Sequence, residues 1–325
     1  MPDTPDAPAV SDYDAPLPMR DRTNASELPA LLALFAGALA IGSSGIFVRL
    51  SQTGPTATAF WRGALALPLL ALWAWLERRG NPPWSRTLRD ARLWWAGVFF
   101  AGDLLLWHWS LLLTSIAAST LEANCAPLLV TLLAWGLWGE RPRPAFLLAL
   151  ACAFGGMLLI LSPKLGGGGH ALLGDLLGLG TACFYALYIL VVARLRTRYG
   201  TGIVMCVSTA VFTLLLLPIA LTQKFLPDDA HGWWLLLGCA ISAQVLGQSL
   251  IAYALAHLPA SFGAVGLFAQ VLAAAAYAWL LLGERLNALQ MLGAAVVLIA
   301  IAAARAAARP APQVARSSLP AGESP

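Results

Sequence analysis

Four ionisable side chains fall inside long apolar runs of the chain: Arg62, Asp103, His108 and Glu122. An ionised group near the middle of a hydrocarbon layer costs about 2.5–3.5 kcal/mol on insertion scales, so such residues face a cavity or a partner. Arg62 and Glu122 each lie about two helical turns from one end of their runs. His108 shares that half of the layer, and Asp103 sits nearer its middle. Two roles are open to Glu122. It can bind the amine of a solute or a coupling proton, since a carboxyl responds in opposite senses to apolar surroundings and to a nearby Arg. Alternatively, it forms a fixed pair with Arg62 that joins two helices, a common arrangement for buried charge.

Asp103 and His108 are five residues apart, which at about 100° per residue leaves them some 140° apart around a helix axis. At most one therefore points fully into a cavity, and the other meets a neighbouring helix. His108, between tryptophans in "LLLWHWSLL", suits a proton relay near neutrality and equally suits a packed, hydrogen-bonded site. Asn124 lies two residues beyond Glu122. The second half of the chain offers neutral polar groups instead: Tyr185, Tyr188, Gln244, Gln248 and Gln270. Gln244 and Gln248, at i and i+4, should share one helix face. Trp107 can wall a cavity, whereas Trp109, nearer a helix end, reads as an interfacial anchor.

The elements that position these residues follow from composition. With 59% hydrophobic residues, 11% charged residues and a mean hydropathy of +0.73, the chain lies outside the soluble globular range. About 20 apolar residues of helix cross a bilayer, and ten such runs are expected near 28–50, 56–76, 93–113, 116–138, 143–162, 174–193, 201–222, 232–255, 260–282 and 287–304. The runs are apolar all round and rich in Leu and Ala, which excludes a barrel of short alternating strands. The fold class is therefore an all-α integral membrane protein. Residues 1–27, acidic and proline-containing, and 306–325 read as disordered cytoplasmic tails, the first without the pattern of a signal peptide. Cys125, Cys152, Cys183, Cys206 and Cys239 fall one to a span without metal or redox spacing, so they read as small packing residues and imply no disulfide or metal.

Lysines and arginines set the orientation. One side carries fifteen: Arg20, Arg22, Arg78, Arg79, Arg86, Arg89, Arg92, Arg141, Arg143, Arg194, Arg196, Arg198, Arg305, Arg309 and Arg316. The other carries Arg49, Lys164, Lys224 and Arg285. Both termini are thus expected in the cytoplasm, in the inner (cytoplasmic) membrane. The net charge of +4 reports this asymmetry and gives no support for nucleic-acid binding.

An internal repeat joins the two halves. "AWGLWGER" at 134–141 returns as "AWLLLGER" at 278–285, matching at six of eight positions. Each copy holds five spans, and an odd number inverts the second copy. The expected organisation is a five-helix repeat at 28–162, a Gly-rich linker at 163–173 and a second five-helix repeat at 174–305. Inverted repeats suit alternating access, in which a central site opens first to one side and then to the other. Corresponding interior positions differ in chemistry: Glu122 against Gly266, Ala126 against Gln270, and Asp103 against Gly247. The scaffold repeats and the polar groups do not.

The two five-helix halves, each closed by "GER" and a last helix, resemble the EamA family of the drug/metabolite transporter superfamily. So do "GSSGIFVRL" in span one, "FWRGALALP" in span two and "GDLLGLGTACFYALYILVVARL" opening the second half. The resemblance covers roughly 28–305. It implies a ten-helix carrier of small molecules such as amino acids, nucleotide-related metabolites or drugs, with a cavity between the halves and the fifth and tenth helices at the periphery. The family pattern places a proline about a dozen residues before the Glu of helix four, where Pro127 stands. The second copy has Val271, which predicts no matching kink in helix nine.

The expected function is secondary transport, in the export direction, of small polar or amphipathic metabolites. Protons are one candidate for the driving ion, and no cofactor is implied. The expected partners are a small-molecule substrate and the lipid bilayer, with no nucleic acid, for a monomer or homodimer. Two alternatives stand beside this: a passive facilitator or exchanger, and an intramembrane enzyme of the rhomboid type, suggested by "GSSG" at 42–45 with a distant His. Small residues at helix contacts account for that segment more simply. "GGGG" at 166–169 lacks the Lys-Ser/Thr of a phosphate-binding loop, so no ATP hydrolysis is expected.

Overall fold

A computed structural model describes residues 27–80, 83–113, 122–139, 141–161, 171–282 and 287–308. Every regular element among them is helical. The helices are α1 (Glu27–Gly42), α2 (Ser44–Leu50), α3 (Pro55–Leu76), α4 (Trp84–Thr87), α5 (Ala91–Leu113), α6 (Ala126–Trp138), α7 (Pro144–Leu161) and α8 (Ala171–Leu195). They continue as α9 (Thr201–Ala220), α10 (Ala230–Cys239), α11 (Ser249–Ala254), α12 (Ala260–Gly266), α13 (Ala269–Leu282) and α14 (Ala288–Ala308). A π-helical segment, Ala240–Gln248, joins α10 to α11. Helix is the element that satisfies every backbone N–H and C=O within its own segment, as a hydrocarbon layer requires.

Seven helical runs have the length and hydropathy to cross a membrane, and α6 and α7 are shorter apolar helices. The chain is a multi-pass membrane protein. Its outward face carries Leu69, Leu72, Trp75, Leu148, Leu214 and Ile299, all exposed, which is the surface a lipid solvent accepts. Prolines begin helices where the missing N–H has no helical partner, at Pro55 and Pro144. At the other end of α6, Gly139 adopts φ 69°, the left-handed cap conformation. That requirement accounts for the glycine of the first GER; Glu140 and the second copy's Gly283, Glu284 and Arg285 lie outside the described residues. So do the tails up to residue 26 and from residue 309, and most of the Gly-rich linker.

The helices interleave the two halves of the chain. α5 packs along α8 and α9, α3 along α9, and α7 along α14. α1 lies against the π-helical segment, α11 and α13, while α6 meets α8 and α12. α7 and α14 touch through facing glycines: a Cβ on Gly156 would come within 2.8 Å of the Gly293 carbonyl, and one on Gly293 within 2.6 Å of the Gly156 carbonyl. Small residues let helix backbones approach where lipid supplies no hydrophobic drive between helices.

Two expectations need correction. The cysteines are free, but Cys152 and Cys183 are exposed rather than packed inside, because they fall on outward helix faces. Helix nine, expected to lack a kink, is interrupted at Leu267–Phe268, between α12 and α13. Its backbone tightens there to i→i−3 bonds, with Leu267 N–H donating to Ala264 and Phe268 N–H to Val265. Proline is therefore not what breaks it.

Candidate functional site

Three spans are interrupted, and a fourth changes its winding. α1 ends at Gly42 and resumes as α2 at Ser44. Span four turns at Asn124 and Cys125 before α6, with the Cys125 N–H donating to the Glu122 carbonyl three residues back. Pro127 has no N–H, so the carbonyl of Ala123 receives no helical bond from it. Span nine breaks at Leu267–Phe268, and span eight is π-wound over Ala240–Gln248. One cavity of about 150 Å³ touches residues at or next to all four irregularities: Gly42, Ser44 and Gly45; Ala123 and Asn124; Gln270 and Val271; and Gln248. Irregular backbone at membrane depth is tolerated where it lines such a cavity.

α3 and α5 supply the charges. Arg62 and Asp103 both line the cavity and are 5% and 8% exposed. The guanidinium of Arg62 lies 5.6 Å from the Phe100 ring centroid, and its Nε donates to Gln244 Oε1 at 3.1 Å. Its Nη2 is buried with no partner. Asp103 accepts no hydrogen bond among the described residues, and no ion pair closes it onto Arg62. The guanidinium and the carboxyl face one space without forming an ion pair with each other. Trp107, Asn124, Tyr185, Gln248 and Gln270 complete the polar wall together with Thr181, and Gln270 Nε2 donates to Asn124 Oδ1 across the two broken spans at 3.1 Å.

Four residues singled out by sequence are absent from that wall. His108 is 1% exposed and turns away; its Nδ1 donates to the Leu104 carbonyl at 2.6 Å, which places the proton on Nδ1. Tyr188 stacks on Phe100 at 4.6 Å, and its hydroxyl meets Met205 Sδ. Gln244 is fully buried between Arg62 and Thr209, with its Nε2 donating to Thr209 Oγ1 at 2.9 Å. Gln244 and Gln248 thus divide between two environments instead of sharing one. Glu122 packs on Gly178 of α8, where its carboxyl shares a hydrogen bond with that of Asp175. The Arg62–Glu122 pair is not formed.

Phe100, Thr181 and Asp175 escaped the sequence reading. Phe100 is apolar among apolar residues and carries no signal. Asp175 stands about one turn into α8, close to the end of its apolar run, where a carboxylate is no surprise. No group of three or more His, Cys, Asp or Glu with metal-binding geometry occurs among the described residues. Gly42 packs against Ala273 and the Gln270 carbonyl so closely that a Cβ would collide with both, which fits the helix-contact reading of "GSSG".

Compared with known proteins, the chain matches the model of the EamA-like transporter family over residues 28–162 and 172–305. It is 26% identical over 272 residues, 83% of this chain and 93% of the relative, to a Pseudomonas aeruginosa UCBPP-PA14 protein named pseudopaline exporter CntI. A second relative, named an uncharacterized transporter of Archaeoglobus fulgidus, is 25% identical over 271 residues, covering 79% of this chain and 91% of its own. A solved crystal structure superposes with a TM-score of 0.72 at 17% identity, covering 87% of this chain and 98% of that one. At that identity the match speaks to fold alone.

Proposed function

The chain belongs to the EamA-like transporter family, and from that premise we propose that it is a secondary transporter exporting a small polar metabolite by alternating access. The observation that carries this reading is the convergence of four helix irregularities on one cavity whose wall holds a guanidinium and a carboxyl that form no ion pair with each other. Broken helices around a charged midplane cavity are how secondary carriers build solute sites. Opposite charges that do not quench each other suit a solute bearing both an anionic and a cationic group. At about 150 Å³ the cavity lies below the roughly 300–1,000 Å³ of drug-sized pockets, which favours a small solute.

Ten spans in two inverted five-helix repeats, 28–162 and 174–305, are part of the proposal, with both termini in the cytoplasm. The helix pairings support it, because they exchange into one another when the first five spans are swapped with the last five. α5 with α8 answers α1 with the π segment and α11; α5 with α9 answers α3 with the π segment; α6 with α8 answers α1 with α13. α3–α9, α7–α14 and α6–α12 answer themselves. The arginine asymmetry supports the orientation in an inner membrane, and the exporter name of the Pseudomonas relative supports the direction. Glu122, beside Asp175 at the break in span four, is the proposed site of a coupling proton.

Proteoliposomes test this with a panel of small labelled zwitterions, anions and amines. Saturable flux of a zwitterion that follows an imposed pH gradient is expected. Flux that only equilibrates the solute replaces the coupled carrier with a facilitator. A chemical product formed without any flux would sink the transporter reading in favour of an enzyme.

A further inference from the structure

We propose that Gln244, held by Thr209, sets the charge selectivity of the cavity: it aims Arg62 at the solute's anionic group while leaving the guanidinium charge uncancelled. The inference rests on the cavity being the solute site. Gln244 is 0% exposed and bridges three spans, accepting from Arg62 Nε on α3 and donating to Thr209 Oγ1 on α9. Arg62, which can only donate, fixes which way the amide points: a flipped amide would set its NH₂ against the guanidinium Nε–H. Thr209, whose hydroxyl accepts from the amide NH₂, holds the glutamine in that place. Phe100 holds the guanidinium from one face. Nε thereby has its acceptor, and Nη2 is left buried, without a partner, in a residue of the cavity wall.

The partner's neutrality is the point of the arrangement. Buried arginines usually meet a carboxylate, and a carboxylate here would quench the cation before any solute arrived. A glutamine gives the same hydrogen bond at nearly the same volume and subtracts no charge. Among the described residues Arg62 is the cavity wall's one cation and Asp103 its one carboxylate, so the character of position 244 decides whether the site is balanced or net negative. Within the π-wound segment Ala240–Gln248, Gln244 meets α3 and α9 while Gln248, four residues on, reaches the cavity.

Charge exchange at position 244 separates positioning from mere packing. Purified protein in nanodiscs is unfolded thermally against rising sodium acetate, free glycine or methylammonium chloride at constant ionic strength near neutral pH. Acetate and free glycine are expected to stabilise the natural protein. In Gln244→Glu the concentrations of acetate and glycine needed for the same shift should rise roughly tenfold or more, while the methylammonium response is kept or strengthened. Thr209→Val, which takes away the acceptor that holds the amide NH₂ and lets the glutamine shift from Arg62, should weaken the acetate and glycine responses and spare methylammonium, and it carries the test if Gln244→Glu does not fold. The proposal is overturned if the natural protein responds to neither acetate nor glycine, if all three responses weaken together, or if none changes. Absence of flux in proteoliposomes with this split intact would remove the transport reading and leave the selectivity role standing.

Discussion

Asp103 is buried, faces the cavity and accepts no hydrogen bond among the described residues. Removing its charge therefore strands no donor. Asp103→Asn should leave the thermal midpoint unchanged or raised, while weakening uptake of amine-bearing solutes roughly tenfold or more; a lowered midpoint with transport intact would show that Asp103 is structural. A different carboxylate governs acid stability. Asp229 caps α10 by accepting from the Gly232 N–H at 2.9 Å, and it also receives Gln52 Nε2 at 3.1 Å. These bonds hold its pKa below the usual carboxylate value, the Gly232 contact first. The folded state thus prefers the ionised form. The contribution is complete above the ordinary carboxylate range, near pH 4, and disappears as pH falls through the depressed value. Acid titration of the thermal midpoint should show this loss in the natural protein and a smaller one in Asp229→Ala. Much of the cavity was readable from residue types, because polar groups such as Arg62, Asp103, Asn124, Gln248 and Gln270 have few places to go in an apolar run. His108 and Tyr188 lie off the wall with a polar atom bonded close by, Nδ1 on the Leu104 carbonyl and the hydroxyl on Met205 Sδ, although His108 Nε2 stays buried without a partner; composition cannot show a bond already made.

At the level of helices, apolar length announced the spans and proline announced one interruption. The other irregularities had no such marker. Span nine breaks without proline at Leu267–Phe268, and span eight is π-wound with no residue type to signal it. Next to the break in span nine, Gly266 closes on Leu34 of α1, a contact between helices that no residue type announces. The α7–α14 contact offers a clean test of such packing. Gly293→Leu must push against the Gly156 carbonyl and Leu159, and overpacking of this kind costs roughly 1–3 kcal/mol. Gly155→Leu, where a Cβ meets nothing within 4 Å, should cost far less. Neither residue lines the cavity, so acetate and glycine responses should survive in both. Equal thermal midpoints for the two variants would mean that the glycine contact is not what joins these helices.

For the molecule as a whole, the proposed alternating access depends on the two halves having opposed orientations. In a cysteine-free background, single cysteines at Arg141, Arg198 and Asp228 report the sidedness of three described loops. An impermeant thiol reagent should reach Asp228→Cys in intact cells and the other two only after permeabilisation. Labelling of positions 141 and 228 from the same side would end the inverted arrangement. The interleaving has a consequence for how the protein is made. The most extensive helix pairings all join an element from the first half of the chain to one from the second. During synthesis the early helices leave the ribosome before their partners exist, so Arg62 must wait in or near lipid without Gln244. Chains halted between the halves should therefore be held by the insertion machinery or degraded, and the two halves expressed separately should survive only when produced together.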